Sequence, residues 1–374
     1  TFDRAAPLLA GGRMYASDRG NSRVLIWSSV PTASGANAGG QVGQLNFNVG
    51  MANAGGLSQS SLNQPEGSPG SDGTKLAVPD TQNHRVMVWN ALPTMKNDAP
   101  DIALGQGSFT ANSANRGGAI GLGTLSSPVG AALSAGRLAV ADRGNHRVLL
   151  WNQTPTATGQ LADLVLGQPS AGDGGVNTGG VSAGSMNTPQ AVATDGTHVV
   201  VADSGNHRVL LWNAWPTSSG AAASVVLGQA SPTSSAPRGA VAGRTRFVAP
   251  TGVARGGDRL IVTDHDANRV LIYSPLPAGA DAQPQTVVGQ AGFDSMVAND
   301  GGVRAASLSA PRAAASDGSV LVVADAGNNR VLVYRTIPTA NGQAADVVLG
   351  QASMTTSGAN SGGAGAGLSN PMGG

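Results

Sequence analysis

The chain has 374 residues, and its 55 Gly and 21 Pro, about one residue in five, exclude a mainly helical fold because neither sits comfortably inside a helix. Hydrophobic residues at 40% can build a large core at this length, which excludes disorder, while 11% charged residues and a net charge of +1 leave no global field to draw nucleic acid or an anionic membrane. The absence of Cys excludes disulfides, thiolate catalysis, Cys-based zinc sites and iron–sulfur clusters together.

Read from the N-terminus, the chain repeats itself six times. Asp18, Asp80, Asp142, Asp203, Asp264 and Asp325 each open a near-identical phrase: DRGNSRVLIW, DTQNHRVMVW, DRGNHRVLLW, DSGNHRVLLW, DHDANRVLIY and DAGNNRVLVY. Four residues after the Arg of each phrase stands an aromatic residue: Trp27, Trp89, Trp151, Trp212, Tyr273 or Tyr334. A Pro follows at a fixed offset, from Pro31 to Pro338, and a VLGQ-like segment closes each unit at Gln44, Gln106, Gln168, Gln229, Gln290 or Gln351. The units run 1–61, 62–124, 125–185, 186–246, 247–307 and 308–367 as a single domain, with 368–374 left as a closing strand or a lead-out tail.

Inside a unit the pattern predicts four strands. In the fifth, these are Pro250 to Ala254, Arg259 to Asp264, Arg269 to Tyr273 and Gln285 to Gln290, rich in Val, Leu and Ile and separated by Gly, Asn, Asp and Pro turns. Six units of four antiparallel strands predict an all-β fold, a six-bladed β-propeller, because a lone four-stranded sheet cannot bury both faces. A β-solenoid is the alternative, but its repeats are usually shorter. Small residues such as Gly130, Ala131, Ala132, Ala191 and Ala193 on the first strand suit a crowded axis, and the large ring on the third suits the wider gap farther out. Closure is ambiguous: Leu368 to Met372 matches the start of a further unit, while the region around Arg4 occupies the same place at the N-terminus.

The DxGNHRVLLW-like phrases resemble the NHL repeat, and the resemblance covers all six units. The long units ending in VLGQ look like a bacterial, stand-alone variety with an insertion between blades. The resemblance implies a six-bladed propeller and mostly binding functions, with protein partners commonest and RNA in some members. One relative, the peptide-amidating lyase, holds zinc and calcium in its propeller.

Sixfold repetition of Asp and Arg speaks for structure, since an active site needs an asymmetric constellation. The Asp is expected to accept from turn amides and to pair with the Arg, and the Asn two before the Arg to be a left-handed turn residue. His84, His146 and His207 stand where the other units have Ser22, Asn268 and Asn329, which fits a hydrogen-bonding turn residue better than a three-His zinc site. They are read as structural, and His198 and His265 as isolated and solvated.

Strand parity puts the turn between second and third strands on the same face as the connections between units, with the Pro-containing loops on the other. The connections, such as 107–127 and 291–310, run about 20 residues, a length often functional. The candidate binding residues on that face are Arg19, Arg143 and His265 after the repeated Asp, then Phe47, Phe109 and Phe293, and Arg238, Arg244 and Arg246 with Arg255 and Arg259 nearby.

The expected function is a noncatalytic binding or structural propeller that engages a protein partner, or copies of itself, through the loop face. The alternative is a metal-dependent lyase or lactonase with calcium or zinc in the central channel; otherwise no cofactor is expected. RNA binding is the third reading, and aromatic residues at 3% leave few stacking groups for it. No stretch has the ~18 apolar residues of a membrane span. Only Lys75 and Lys96 are Lys and only Glu66 is Glu, so neutral polar residues cover the surface, and the expected setting is extracellular or at the cell surface. Thr1 to Leu9 lack the features of a signal peptide, so an export signal is expected outside these residues.

Overall fold

The computed structural model describes residues 6–94, 97–236 and 244–358. Within them the chain forms six four-stranded antiparallel sheets. The first blade is β1 (Pro7–Ala10), β2 (Arg13–Asp18), β3 (Arg23–Trp27) and β4 (Gly40–Val42). The second is β5 (Gly70–Ser71), β6 (Leu76–Asp80), β7 (Arg85–Trp89) and β8 (Ile102–Leu104), and the third is β9 (Pro128–Ser134), β10 (Arg137–Asp142), β11 (Arg147–Trp151) and β12 (Leu164–Leu166). The fourth comprises β13 (Pro189–Thr194), β14 (Val199–Asp203), β15 (Arg208–Trp212) and β16 (Val225–Leu227). The fifth comprises β17 (Pro250–Gly256), β18 (Arg259–Asp264), β19 (Arg269–Tyr273) and β20 (Thr286–Val288). The sixth comprises β21 (Pro311–Ser316), β22 (Leu321–Asp325), β23 (Arg330–Tyr334) and β24 (Val347–Leu349). This is a six-bladed β-propeller, as the repeat predicts.

The first strands surround the axis, where small residues are required. A Cβ on Gly67 would lie 1.5 Å from the Val129 carbonyl oxygen, and one on Gly130 3.2 Å from the Ala191 Cα. In the second blade this strand shrinks to two residues, because Pro69 has no N–H to donate; Ser68 bridges instead to Gly130 of the next blade. Farther out, each pair of neighbouring blades encloses one apolar cluster. Trp89 packs with Tyr15, Val24 and Ile26 of the first blade, and Trp212 with Ala139, Val148 and Leu150 of the third. The small-inside, large-outside taper thus extends to the ring as a whole.

The ring closes by packing. Met14, Leu25 and Trp27 of the first blade form one cluster with Val322, Val331 and Val347 of the sixth. β1 fills the innermost slot of the first blade, so the N-terminus supplies that strand, and residues 368–374 lie outside the described residues.

The loops between third and fourth strands have a role that the sequence reading missed. They do not simply project from the far face, because those of the first, second, third, fourth and sixth blades reach the outer strand of the preceding blade. Gly159 N–H donates to the Ala103 carbonyl of β8 at 2.8 Å, while Thr158 Oγ1 accepts from Ala103 N–H at 3.2 Å. Ser219 and Gly220 hold Val165 likewise, and Ser34 and Gly35 hold Val348, which fastens the first blade to the sixth. Each such loop covers an exposed sheet edge, the surface by which strands otherwise pair with other molecules.

Candidate binding face

The repeated phrase builds one buried polar turn per blade. In the third, Asp142 Oδ2 accepts from Arg147 Nε at 2.8 Å and Asn145 Nδ2 at 2.7 Å, and Oδ1 accepts from Ser126 N–H at 2.7 Å. Burial pushes the Asp142 carboxyl above the ordinary carboxylate value, with Arg147, Ser126 and Asn145 pulling the other way. Two details differ from the sequence expectation. In the second to sixth blades the Asp Oδ1 accepts backbone N–H from the incoming connection, at Asn63, Ser126, Asn187, Val248 and Ser309, whereas in the first blade Asp18 takes the backbone N–H of Asn21 in its own turn, as expected. The left-handed residue is not the Asn but its successor: Ser22, His84, His146, His207, Asn268 and Asn329 have φ between 50° and 54°.

These turns hold the long connections. Gln168 Nε2 lies within donating distance of the carbonyls of Asn145, His146 and Gly175, at 3.3, 2.9 and 2.8 Å, and the same arrangement recurs at Gln44, Gln106, Gln229 and Gln351. The Gly before each Gln has φ between 81° and 95°, and at Gly43 a Cβ would lie 2.5 Å from Leu62 Cδ1, which explains the GQ pair. Arg147 Nη1 donates to Ala171, in the connection leaving its blade, and Nη2 to Gly121 and Thr124, in the one arriving. Asn53 and Asn83 exchange reciprocal amide bonds at 3.0 and 2.8 Å, as do Asn115 with Asn145, Asn177 with Asn206 and Asn299 with Asn328. The connections are therefore pinned to the turns, and both lie on one face.

His84 Nδ1 accepts from Ser127 N–H at 2.9 Å and His146 Nδ1 from Thr188 N–H at 3.0 Å; His207 Nδ1 bonds the Val248 carbonyl. Ser22 Oγ and Asn268 Oδ1 accept from Gln64 and Ala310 N–H in the same way. Each of these residues bolts its blade to the next. His198 and His265 are not isolated: His198 Nδ1 lies 2.8 Å from Asp195 Oδ2, and His265 Nδ1 2.5 Å from Asp266 Oδ1.

Of the candidate binding residues, Arg19 and Arg143 come together. Glu66, 2% exposed, lies between them, with Oε1 2.6 Å from Arg143 Nη1 and Oε2 3.5 Å from Arg19 Nε. It sits one residue after Pro65, where the equivalent residues are Val129, Gln190, Thr251 and Arg312. In four blades a register shift takes this position out of the ladder, and Glu66, Gln190, Thr251 and Arg312 line a small cavity at the axial mouth. Sequence reasoning noted the single Glu but not its place; its signal is that it alone is acidic there.

The other candidates stand apart. Phe293 is buried under the Arg244 guanidinium, 4.2 Å from the ring centroid, while Phe47 and Phe109 are partly buried against inter-blade clusters. Their carbonyls accept from Arg269, Arg23 and Arg85 Nη1. Arg246 is exposed, and Arg238 lies outside the described residues. Arg255 and Arg259 do not join this group, because they lie at the opposite end of the fifth blade's inner hairpin, where Arg255 pairs with Asp195 at 2.8 Å.

That end of the channel is a cavity of about 150 Å³ walled by the first strands of all six blades. Its donor set does not fit calcium or zinc: Arg255 is the one charged side chain among the lining residues, and it would repel a dication. Among the described residues no three His, Asp or Glu side chains gather as metal ligands, and no helix is long and apolar enough to cross a membrane.

Residues 125–149 match the family model of the NHL repeat. The other five units carry a near-identical phrase at the same place in their blades, so the matched repeat is one of six alike units of a six-bladed β-propeller. In sequence it matches no curated protein. Among solved structures it is similar to U3-55K, at 10% identity and TM-score 0.42 over 88% of this chain and 76% of that one. It is similar to the WD40 repeats of RRP9, at 10% identity and TM-score 0.44 over 88% and 75%. It is also similar to virginiamycin B lyase from Staphylococcus aureus, at 11% identity and TM-score 0.40 over 88% and 80%. At these identities and TM-scores no relative's role transfers to this chain.

Proposed function

We propose that this chain is a noncatalytic binding propeller that engages a protein surface, or a second copy of itself, through the face formed by the long connections. The observation that carries the reading is that this face is preformed. The same buried Gln and Arg groups fix the connections at blade after blade, so little ordering entropy is lost when a partner docks. The turn residues around the mouth vary, from Arg19, Thr81 and Arg143 to Ser204, His265 and Ala326, which supplies the asymmetry that recognition needs. Four of the five large apolar side chains exposed among the described residues, Leu45, Met51, Val176 and Val297, also belong to the connections. We further propose an extracellular setting, on the scarcity of Lys and of charge, which fractionation of the producing cells tests.

The experiment is native mass spectrometry of the protein purified from its source, beside a variant carrying Met51→Asp, Val176→Asp and Val297→Asp. Wild type is expected to carry a partner chain or a second copy, and the variant to run as a monomer with an unchanged melting temperature. A wild-type monomer with a stoichiometric metal and turnover would contradict the reading.

A further inference from the structure

Away from the loop face, the wall of the channel breaks the sixfold repetition at one residue. Opposite the residue four before each repeated Asp, the first strands place Leu9, Ser71, Leu133, Thr194, Arg255 and Ser316, so one blade presents a cation where the others present small or apolar groups. The Arg255 side chain is 11% exposed. Its Nη2 donates to Asp195 Oδ2 of the preceding blade at 2.8 Å, whereas Nε and Nη1 are buried and have no hydrogen-bond partner among the described residues.

Asp195 is fully engaged and cannot serve them. Its Oδ1 accepts from Thr197 and His198 N–H at 2.9 and 2.7 Å, and its Oδ2 is shared between Arg255 and His198 Nδ1. Burial alone would raise its pKa, but the bonds from His198 and Thr197 and the Arg255 charge outweigh that and hold the carboxyl well below the usual range, so it stays ionised. The blade junction needs one Arg255 N–H, and the rest of the guanidinium is a desolvated, under-bonded cation, a costly arrangement unless an anion shares it. A carboxylate matches the guanidinium fork. The remaining wall is mixed: Ser68, Ser71, Thr194 and Ser316 line it beside Leu8, Leu9, Leu133 and the small residues Ala132, Ala193, Ala254 and Ala315, which stand at the fourth position after the first-strand Pro in four blades, and a cavity of this volume accommodates a benzene ring.

We propose that the channel binds a small organic acid, its carboxylate on Arg255 and its apolar body against the alanine ring. The alanine and leucine side chains of the wall favour an anion with hydrocarbon to bury over an inorganic one.

Titration calorimetry with benzoate, benzamide and inorganic phosphate tests this on the wild-type protein. Benzoate is expected to bind at one site per chain, and benzamide and phosphate each about tenfold or more weakly. The Arg255→Gln variant is expected to lose about tenfold or more in benzoate affinity. The proposal is overturned if benzamide or phosphate binds as tightly as benzoate, if benzoate at millimolar concentration does not bind, or if Arg255→Gln retains wild-type affinity. The benzoate and benzamide comparison needs no variant, so it decides the matter even if Arg255→Gln does not fold.

Discussion

The Arg147 guanidinium gives Nε to Asp142, Nη1 to one connection and Nη2 to another, so one side chain ties a buried carboxylate to both flanking loops. Replacing it with Met leaves Asp142 charged and unpaired at zero exposure, and stability by urea denaturation is expected to fall by about 3–5 kcal/mol. A loss below about 1 kcal/mol, the range of an exposed ion pair, would contradict this account of the turn. Tyr334 and Tyr15 make a contrasting pair. The Tyr334 hydroxyl is buried without a hydrogen-bond partner among the described residues, while Tyr15 Oη donates to the Pro93 carbonyl at 3.1 Å. Tyr334→Phe is expected to leave stability unchanged or raise it, and Tyr15→Phe to lower it by about 1 kcal/mol, both by thermal unfolding. The Asp to Arg pairing was legible in the sequence because it recurs at constant spacing. The Arg19, Glu66 and Arg143 cluster was not, because it joins three blades and a repeat alignment shows only what blades share.

Strand positions were legible because Val-rich runs and Gly, Asn and Asp turns mark them, and three strands of the fifth blade begin where the pattern places them. The edge-capping loops were not recognised, although a signal was present: Ser34, Thr158, Ser219 and Asn341 each precede a Gly at the same offset from the Arg. Their bonds run to another blade, so a reading confined to one unit misses them. Junctions between blades also differ in chemistry. His84 and His146 accept backbone N–H groups through an unprotonated Nδ1, and burial lowers both pKa values from the usual 6.5. The unfolded chain takes up these protons first as pH falls. The stability contributed is therefore complete above about pH 6.5 and is lost as pH drops through the lowered folded values. Urea midpoints are expected to fall as pH drops below about 6.5, and less steeply in a His84→Asn, His146→Asn variant, because Asn268 makes the same bond without titrating. Identical pH slopes in the two proteins would exclude the two His as the cause.

At the scale of the molecule, repetition and departure from it divide the work. What recurs in the blades, the Asp, Arg and aromatic residues with the closing Gln, builds a closed ring and fixes its loops. What occurs once, Glu66 at one mouth of the channel and Arg255 at the other, marks where the ring is chemically asymmetric. The binding reading depends on the loop face being rigid before any partner arrives, and hydrogen exchange on the isolated protein measures that directly. The amides of Asn53, Asn115, Asn177 and Asn299 donate to carbonyls across their own connections at 2.9 to 3.0 Å. They are expected to exchange as slowly as amides of the blade strands. Exchange at the rate of an unstructured chain would show that the connections are not held, and would contradict the preformed face.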